Sequence, residues 1–345
     1  MTAQLSCYTT KKVAARLTRE AFLMTEKSRK TAAQLPSRGL PAGAWVDNRE
    51  ELILHVPTPF SFTQNLHYLS RAKDECLYQI ENDRLYKAIP IAGQTPVVEI
   101  RAEEDAHLHI RFLGDATPTA DVRARVAEYV YDWFDLGTNL APFYDMAQKD
   151  ALLKGAVDSF YGLRNMGIPD LFEAMSWGIL GQQINLTYAY KLKRRLVENF
   201  GRPVVCEGKT YWVFPAPETI AERTVQDLAV LRMTAKKCEY LIGAAQLIVE
   251  GKLSKELLWD GGDYQNAEKT LVNIRGIGPW TANYVLMRCL RMPSAFPIDD
   301  VGLHNAIKYV QGTDRKPTKA EIVALSRHWT SWESYATFYL WRFLY

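Results

Sequence analysis

The segment that decides the reading is 271–303, LVNIRGIGPWTANYVLMRCLRMPSAFPIDDVGL. Helical spacing runs out near Ile274. Gly276-Ile277-Gly278 follows, and Pro279 stands where a new helix would begin. Proline suits a first helical position, because the N–H it lacks would have had no partner there. The two glycines permit positive φ and let the backbone come close to another molecule, while the apolar Ile277 anchors the turn inward. The pattern predicts a helical hairpin over 265–291 whose free N–H groups face outward at a helix N-terminus, a cradle for phosphate. Its second helix is about 16 Å long at ~1.5 Å per residue. Pro293 and Pro297 then turn the chain through a loop, 292–303, in which Asp299-Asp300 open the next helix. A carboxylate one helix length from a phosphate grip suits chemistry on a nucleotide. Plainer readings exist for each part: a GxG turn is commonly only a turn, and an Asp before a helix is commonly only its N-cap.

Working outward, 345 residues suggest roughly two domains. A chain 48% hydrophobic and 23% charged is an ordinary globular protein, which excludes a disordered tail, a collagen-like fibre and a disulfide scaffold. No run approaches the ~20 apolar residues of a membrane span, and no secretory signal is evident at the start. Five scattered cysteines (Cys7, Cys76, Cys206, Cys238, Cys289) without a CxxC pair are expected to be reduced thiols, not ligands of zinc or an iron–sulfur cluster. These features predict a cytoplasmic protein with no membrane partner. Net charge is +3, but residues 1–45 hold eight basic groups against two acidic ones, so the remainder is net negative. Nucleic-acid binding would therefore need a local site, not bulk charge. The basic, disordered extension over 1–45 could aid association; the preferred reading is a dispensable stretch, with Met24 as an alternative start.

Period-two alternation over 51–56, 75–82, 84–91, 97–103 and 106–114, interrupted by a helix at 62–71 and closed by one at 117–134, predicts an antiparallel sheet covered by helices. From Asp135 helical periodicity dominates, over 145–162, 170–200, 218–230, 234–251, 265–274, 280–291, 301–310, 318–328 and 331–344. The exception is 204–214, a hairpin or extended loop. The expected class is α+β: a small antiparallel-sheet domain, 46–136, then a larger all-helical domain, 137–345.

IRGIGPWTANYVLMR followed by FPIDD resembles the helix-hairpin-helix base-excision DNA glycosylases, and within them the alkylation-repair branch of the DNA-3-methyladenine glycosylase II type. MSWGILGQQIN (175–185) resembles the helix and loop that place a wedge in DNA. FDLGTNL (134–140), SWESYATFYLW (331–341) and the β-rich 50–136 segment are also similar to that family, so the likeness covers about 46–345. The resemblance implies Asp300 as the catalytic aspartate, with Asp299 capping or structural. It implies Gly276, Ile277, Gly278 and Thr281 at the DNA backbone, and Trp280, Tyr284 and Trp341 around the base. Gln183, with Gln182 or Ile184, falls at the wedge, where the bacterial pattern has leucine. A monovalent cation, Na+ or K+, would fall on the backbone carbonyls of Val272, Ile274 and Gly276, with no other cofactor. Bifunctional members carry a Schiff-base lysine just after the turn; Trp280 stands there, so strand cleavage is not expected. The four-Cys cluster of the endonuclease branch is missing too.

The implied activity is a monofunctional glycosylase, acting as a monomer on double-stranded DNA, which flips out and hydrolyses alkylated purines of the 3-methyladenine and 7-methylguanine type in base excision repair. Two alternatives are a glycosylase for deaminated or oxidised bases and a non-catalytic hairpin DNA-binding module, against which the Asp300 position and the aromatic set argue. Nucleoid-associated activity would follow. Of the other polar residues, His107 and His109 read as solvated surface and His304 as peripheral. Arg288 and Arg291 read as phosphate contacts or solvated groups, and KLKRR (191–195) as a wet helix face.

Overall fold

Alternation between 45 and 113 builds one layer. The computed structural model describes residues 40–345 apart from 92 and 116; most of the expected extension, Met24 included, lies outside them. Strands β1 (Trp45–Asp47), β2 (Glu51–His55), β3 (Gln79–Glu81), β4 (Arg84–Ala88), β5 (Val97–Glu103) and β6 (His107–Leu113) form an antiparallel sheet in the order β1-β2-β6-β5-β4-β3. Register pairs Leu52 with Ile110 and Leu54 with Leu108, and Ile110 with Ile100 on the other side. Since successive strand side chains alternate in face, these apolar residues share one side, fully buried. The opposite side carries Glu99 between Arg84 and Arg111, and Glu51 between Arg101 and His109. His109 is buried there between Glu51 and Glu103, not solvated as expected. The linker's Trp45 already belongs to β1, and 75–78 is irregular where a longer strand was expected.

Helices cover the apolar side and continue into the second half: α1 (Phe62–Leu69), α2 (Ala120–Trp133), α3 (Ala141–Ala147), α4 (Lys154–Ser159), α5 (Leu171–Leu180), α6 (Leu186–Phe200), α7 (Pro217–Ala221), α8 (Ala235–Val249), α9 (Lys255–Asp260), α10 (Tyr264–Val272), α11 (Pro279–Arg288), α12 (Val301–Gln311), α13 (Lys319–Leu325) and α14 (Glu333–Trp341). The helical half is interrupted by a two-stranded ribbon, β7 (Arg202–Cys206) with β8 (Lys209–Val213), the expected hairpin. Its Tyr211 and Val213 pack on Ala88, Val97 and Leu113 of the sheet. Several expected helices are broken in two, 170–200 at Gly181–Asn185 and 145–162 after Ala147. Apolar spacing survives such breaks because both pieces face one core.

That core is continuous from Leu52 and Val98 of the sheet to Phe338 and Leu340 of α14. FDLGTNL and SWESYATFYLW meet inside it. The Tyr335 hydroxyl donates to Asp135, which also accepts from the Thr138 hydroxyl at 2.7 Å. KLKRR is a wet face only in part: Lys191 is exposed and Arg194 and Arg195 are half-buried, but Lys193 is buried and bridges Glu75 and Glu173, each at 3.0 Å. At the crossing of α5 and α11 a Cβ on Gly178 would lie 2.5 Å from the Thr281 methyl, so glycine is what lets the two helices approach.

Candidate active site at the hairpin cleft

Helix α10 ends at Val272, and Gly276 (φ 91°) turns the chain. The turn is packed on Tyr240: a Cβ at Gly276 would sit 2.1 Å from that ring's Cγ. Ile277 is buried, as its apolar character predicts, and its N–H donates to the Ile274 carbonyl at 3.0 Å. Gly278 caps α11 and Pro279 is its first residue, with no side chain bonding the helix N-terminus. The leading N–H groups of α11 are thus left for an outside acceptor. Thr281 offers that acceptor its backbone, not its side chain. At 2% exposure it is packed on Gly178, because the third residue of the helix faces the core.

Asn283 ties this hairpin to the loop that follows. Its carbonyl oxygen accepts from the Tyr264 hydroxyl (2.6 Å) and the Phe296 N–H (2.8 Å). Its amide donates to Glu268 (2.6 Å) and to the Pro279 carbonyl (2.9 Å). Helix α10, the start of α11 and the loop toward Asp300 are therefore tied together through one side chain. Nothing in the sequence pattern singled this residue out.

Asp300 is the N-cap of α12, and its Oδ2 accepts the Leu303 N–H at 2.7 Å. The same oxygen accepts the Trp341 indole N–H at 2.8 Å, and Oδ1 accepts that of Trp280 at 2.9 Å. Both oxygens are fixed, and the half-buried carboxylate lines a cleft of about 670 Å3. Trp280 stacks on Tyr284 (centroids 5.6 Å, 27°), and Tyr284 lies 6.4 Å from Trp341. Burial pushes the Tyr284 phenol well above its ordinary pKa, so it stays a neutral ring. Asp299 faces solvent and pairs with Lys319 at 2.9 Å, while the His304 ring hydrogen-bonds the Ile298 carbonyl.

Opposite the hairpin, the loop between α5 and α6 forms the cleft's other rim. Gln183 is exposed at its crest in the left-handed conformation (φ 57°). Gln182 is engaged differently: its amide donates to the Gly276 carbonyl at 2.8 Å, latching this loop to the hairpin. Below it the Lys237 ammonium, its pKa lowered by burial, donates to the carbonyls of Leu180 (2.9 Å) and Gln182 (2.7 Å). A cation at a helix C-terminus satisfies carbonyls that have no helical partner. Lys237 is 54 residues from Gln183 by numbering, which is why no local motif revealed it. Lys237→Met is expected to cost about 2 kcal/mol of stability, the usual worth of hydrogen bonds from a charged group. Were this loop the expected wedge, the variant should also blunt the fluorescence rise of 2-aminopurine opposite a lesion; an unchanged rise would show that Lys237 supports the fold alone.

Arg288 and Arg291 depart from the expected roles. Arg288, 4% exposed, donates to the Met166 carbonyl (2.8 Å) and the Tyr284 hydroxyl (3.1 Å), and Arg291 pairs with Asp132 at 3.1 Å. Arg288, the last residue of α11, and Arg291, just beyond it, are thus buried and spent on partners inside the protein.

Residues 177–331 match the family model described as HhH-GPD superfamily base excision DNA repair protein, and 60–175 match that of the 8-oxoguanine DNA glycosylase N-terminal domain. The chain is 51% identical over 302 residues to a DNA-3-methyladenine glycosylase of Bacillus subtilis, covering 87% of this chain and 99% of that protein. It is 33% identical to DNA-3-methyladenine glycosylase 2 of Escherichia coli over 52% of this chain and 60% of that one. A 3-methyladenine DNA glycosylase from Archaeoglobus fulgidus shares the fold at a TM-score of 0.71 and 20% identity, over 84% of this chain and 97% of its own.

Proposed function

Because the chain belongs to the HhH-GPD superfamily of base excision DNA repair proteins, we propose a reaction cycle built on its cleft. The protein is an alkylbase DNA glycosylase, a hydrolytic N-glycosylase whose substrate is DNA. A base inside a duplex is out of reach, so it must be rotated out, at a cost of a few kcal/mol that is lower for a poorly paired lesion. The open N-terminus of α11 would hold a phosphate beside the lesion through the backbone of Gly276, Ile277, Gly278 and Thr281. Gln183 would fill the vacated stack, with Gln182 holding its loop to the hairpin. The cleft, of about 670 Å3, is of a size to take the extruded nucleotide.

A purine alkylated at a ring nitrogen is cationic and leaves readily. Trp280, Tyr284 and Trp341 would stack on it at ~0.5–2 kcal/mol per cation–π contact. As the N-glycosidic bond breaks, positive charge grows on the sugar, and the fixed Asp300 carboxylate would stabilise it and orient the attacking water. A Na+ or K+ ion held by the Val272, Ile274 and Gly276 carbonyls would add attraction for the phosphate. The Ile274 and Gly276 oxygens already accept one hydrogen bond each, from Ile277 and Gln182, and each keeps a second lone pair. With Trp280 at the position of a Schiff-base lysine, no imine forms and the product is an intact strand with an abasic site.

The observation that carries this reading is a carboxylate pinned by two indole N–H groups at the mouth of an aromatic cleft beside an uncapped helix N-terminus. Purified protein is expected to release free 3-methyladenine and 7-methylguanine from methylated duplex DNA, measured by mass spectrometry. The product strand should break only after alkali. Nicking without alkali, with borohydride trapping of the protein on DNA, would overturn the monofunctional reading.

A further inference from the structure

The deep end of the cleft is lined by Tyr68, Arg71 and Arg288. Arg71 follows α1, on the β-rich half of the chain, and its guanidinium carbon lies over the Tyr68 ring, 3.6 Å from the centroid. Nη1 donates to the Tyr68 carbonyl at 2.6 Å and Nη2 to the Tyr190 hydroxyl at 2.9 Å. A guanidinium has five N–H donors, so the remaining ones have no hydrogen-bond partner shown in the protein. No carboxylate within ion-pair distance offsets its charge among the described residues: nearby Glu75 is engaged by Lys193. A partly buried cation without a counter-charge is costly to keep, whereas one held over a ring by two acceptors presents its remaining donors in a fixed direction.

We propose, resting on the glycosylase reading above, that Arg71 is a specificity-determining residue which reads the C6 substituent of the extruded purine, favouring a carbonyl over an amine. In 7-methylguanine the O6 atom accepts from a guanidinium as guanine O6 does in a DNA groove. In 3-methyladenine the same ring position carries an amine, whose N–H groups meet those of Arg71. Both bases are cations when attached to DNA, so the repulsion between base and guanidinium is common to the two. It cancels in the ratio of their release rates, and the change in that ratio on replacing Arg71 reads the contact this side chain makes with the base.

The test is the single-turnover release of 7-methylguanine and 3-methyladenine from one sample of methylated DNA by the wild-type protein and by Arg71→Met, corrected for spontaneous loss. The 7-methylguanine to 3-methyladenine ratio is expected to fall about tenfold in the variant. A ratio within twofold of wild type overturns the proposal, whether both rates are retained or both fall together. Tyr190→Phe removes the hydroxyl that steers Nη2 and keeps the charge; it should shift the ratio in the same direction by a smaller factor. This second variant decides the matter if Arg71→Met loses its cooperative melting transition. Failure of the wild-type protein to release either base would instead sink the glycosylase reading itself.

Discussion

Asp300→Asn is expected to lower the single-turnover excision rate by about 10²–10³-fold, the usual loss when one charge-stabilising group is removed from a site. Affinity for a duplex carrying an abasic site should stay within a few-fold of wild type. The reasoning rests on what asparagine keeps. Its Oδ1 can still accept from Leu303 and Trp341, so the cap of α12 survives, and asparagine is as good an N-cap as aspartate. Its amide nitrogen then faces the Trp280 N–H, a donor against a donor where the wild type has a 2.9 Å hydrogen bond. The half-buried indole can yield to this by a small shift. What is lost is the negative charge opposite the sugar. An Asn variant that cleaves at the wild-type rate would make Asp300 a helix cap and nothing more, and the carboxylate would have to be sought elsewhere in the cleft.

How far the sequence carries this arrangement differs between its parts. The hairpin was legible because its needs are local: a Gly with φ 91°, an apolar residue turned inward, and a proline where no N–H is wanted. The position of Asp300 was legible for the same reason, since an N-cap is set by its nearest neighbours. What holds these pieces in register was not. Asn283, Lys237 and the Gln182 latch act through partners 13 to 94 residues away, and a polar residue on an amphipathic helix gives no sign of which distant carbonyl it will meet. The same blindness explains the errors over Lys193, His109, Arg288 and Arg291. Charge in a sequence reads as surface, yet each of these is buried against partners from another part of the fold.

Gly302, the second residue of α12, separates folding from catalysis most cleanly. Glycine within a helix is ordinarily worse than alanine by roughly 0.5–1 kcal/mol, so Gly302→Ala should raise the melting temperature by about 1–4 °C if the helix were all that mattered. A Cβ at this position, however, would lie 2.8 Å from Asp300 Oδ2 and 3.1 Å from Trp341 Nε1. Those two atoms share a 2.8 Å hydrogen bond, and the short aspartate side chain, pinned by three donors, has little room to retreat. Either the carboxylate rotates off the indole or Trp341 swings back from the wall of the cleft. A displacement of this kind, of about an ångström, is enough to cost about 10²-fold in rate when a charged group must face a developing cation. The expected result is a protein that melts no lower than wild type, still binds DNA through the backbone of its hairpin turn, and excises alkylated bases about two orders of magnitude more slowly. Equal loss of stability and rate would assign Gly302 to packing; an unchanged rate would show that the Asp300–Trp341 bond contributes nothing to catalysis. Only the split outcome follows from a carboxylate whose orientation is the working part of the site.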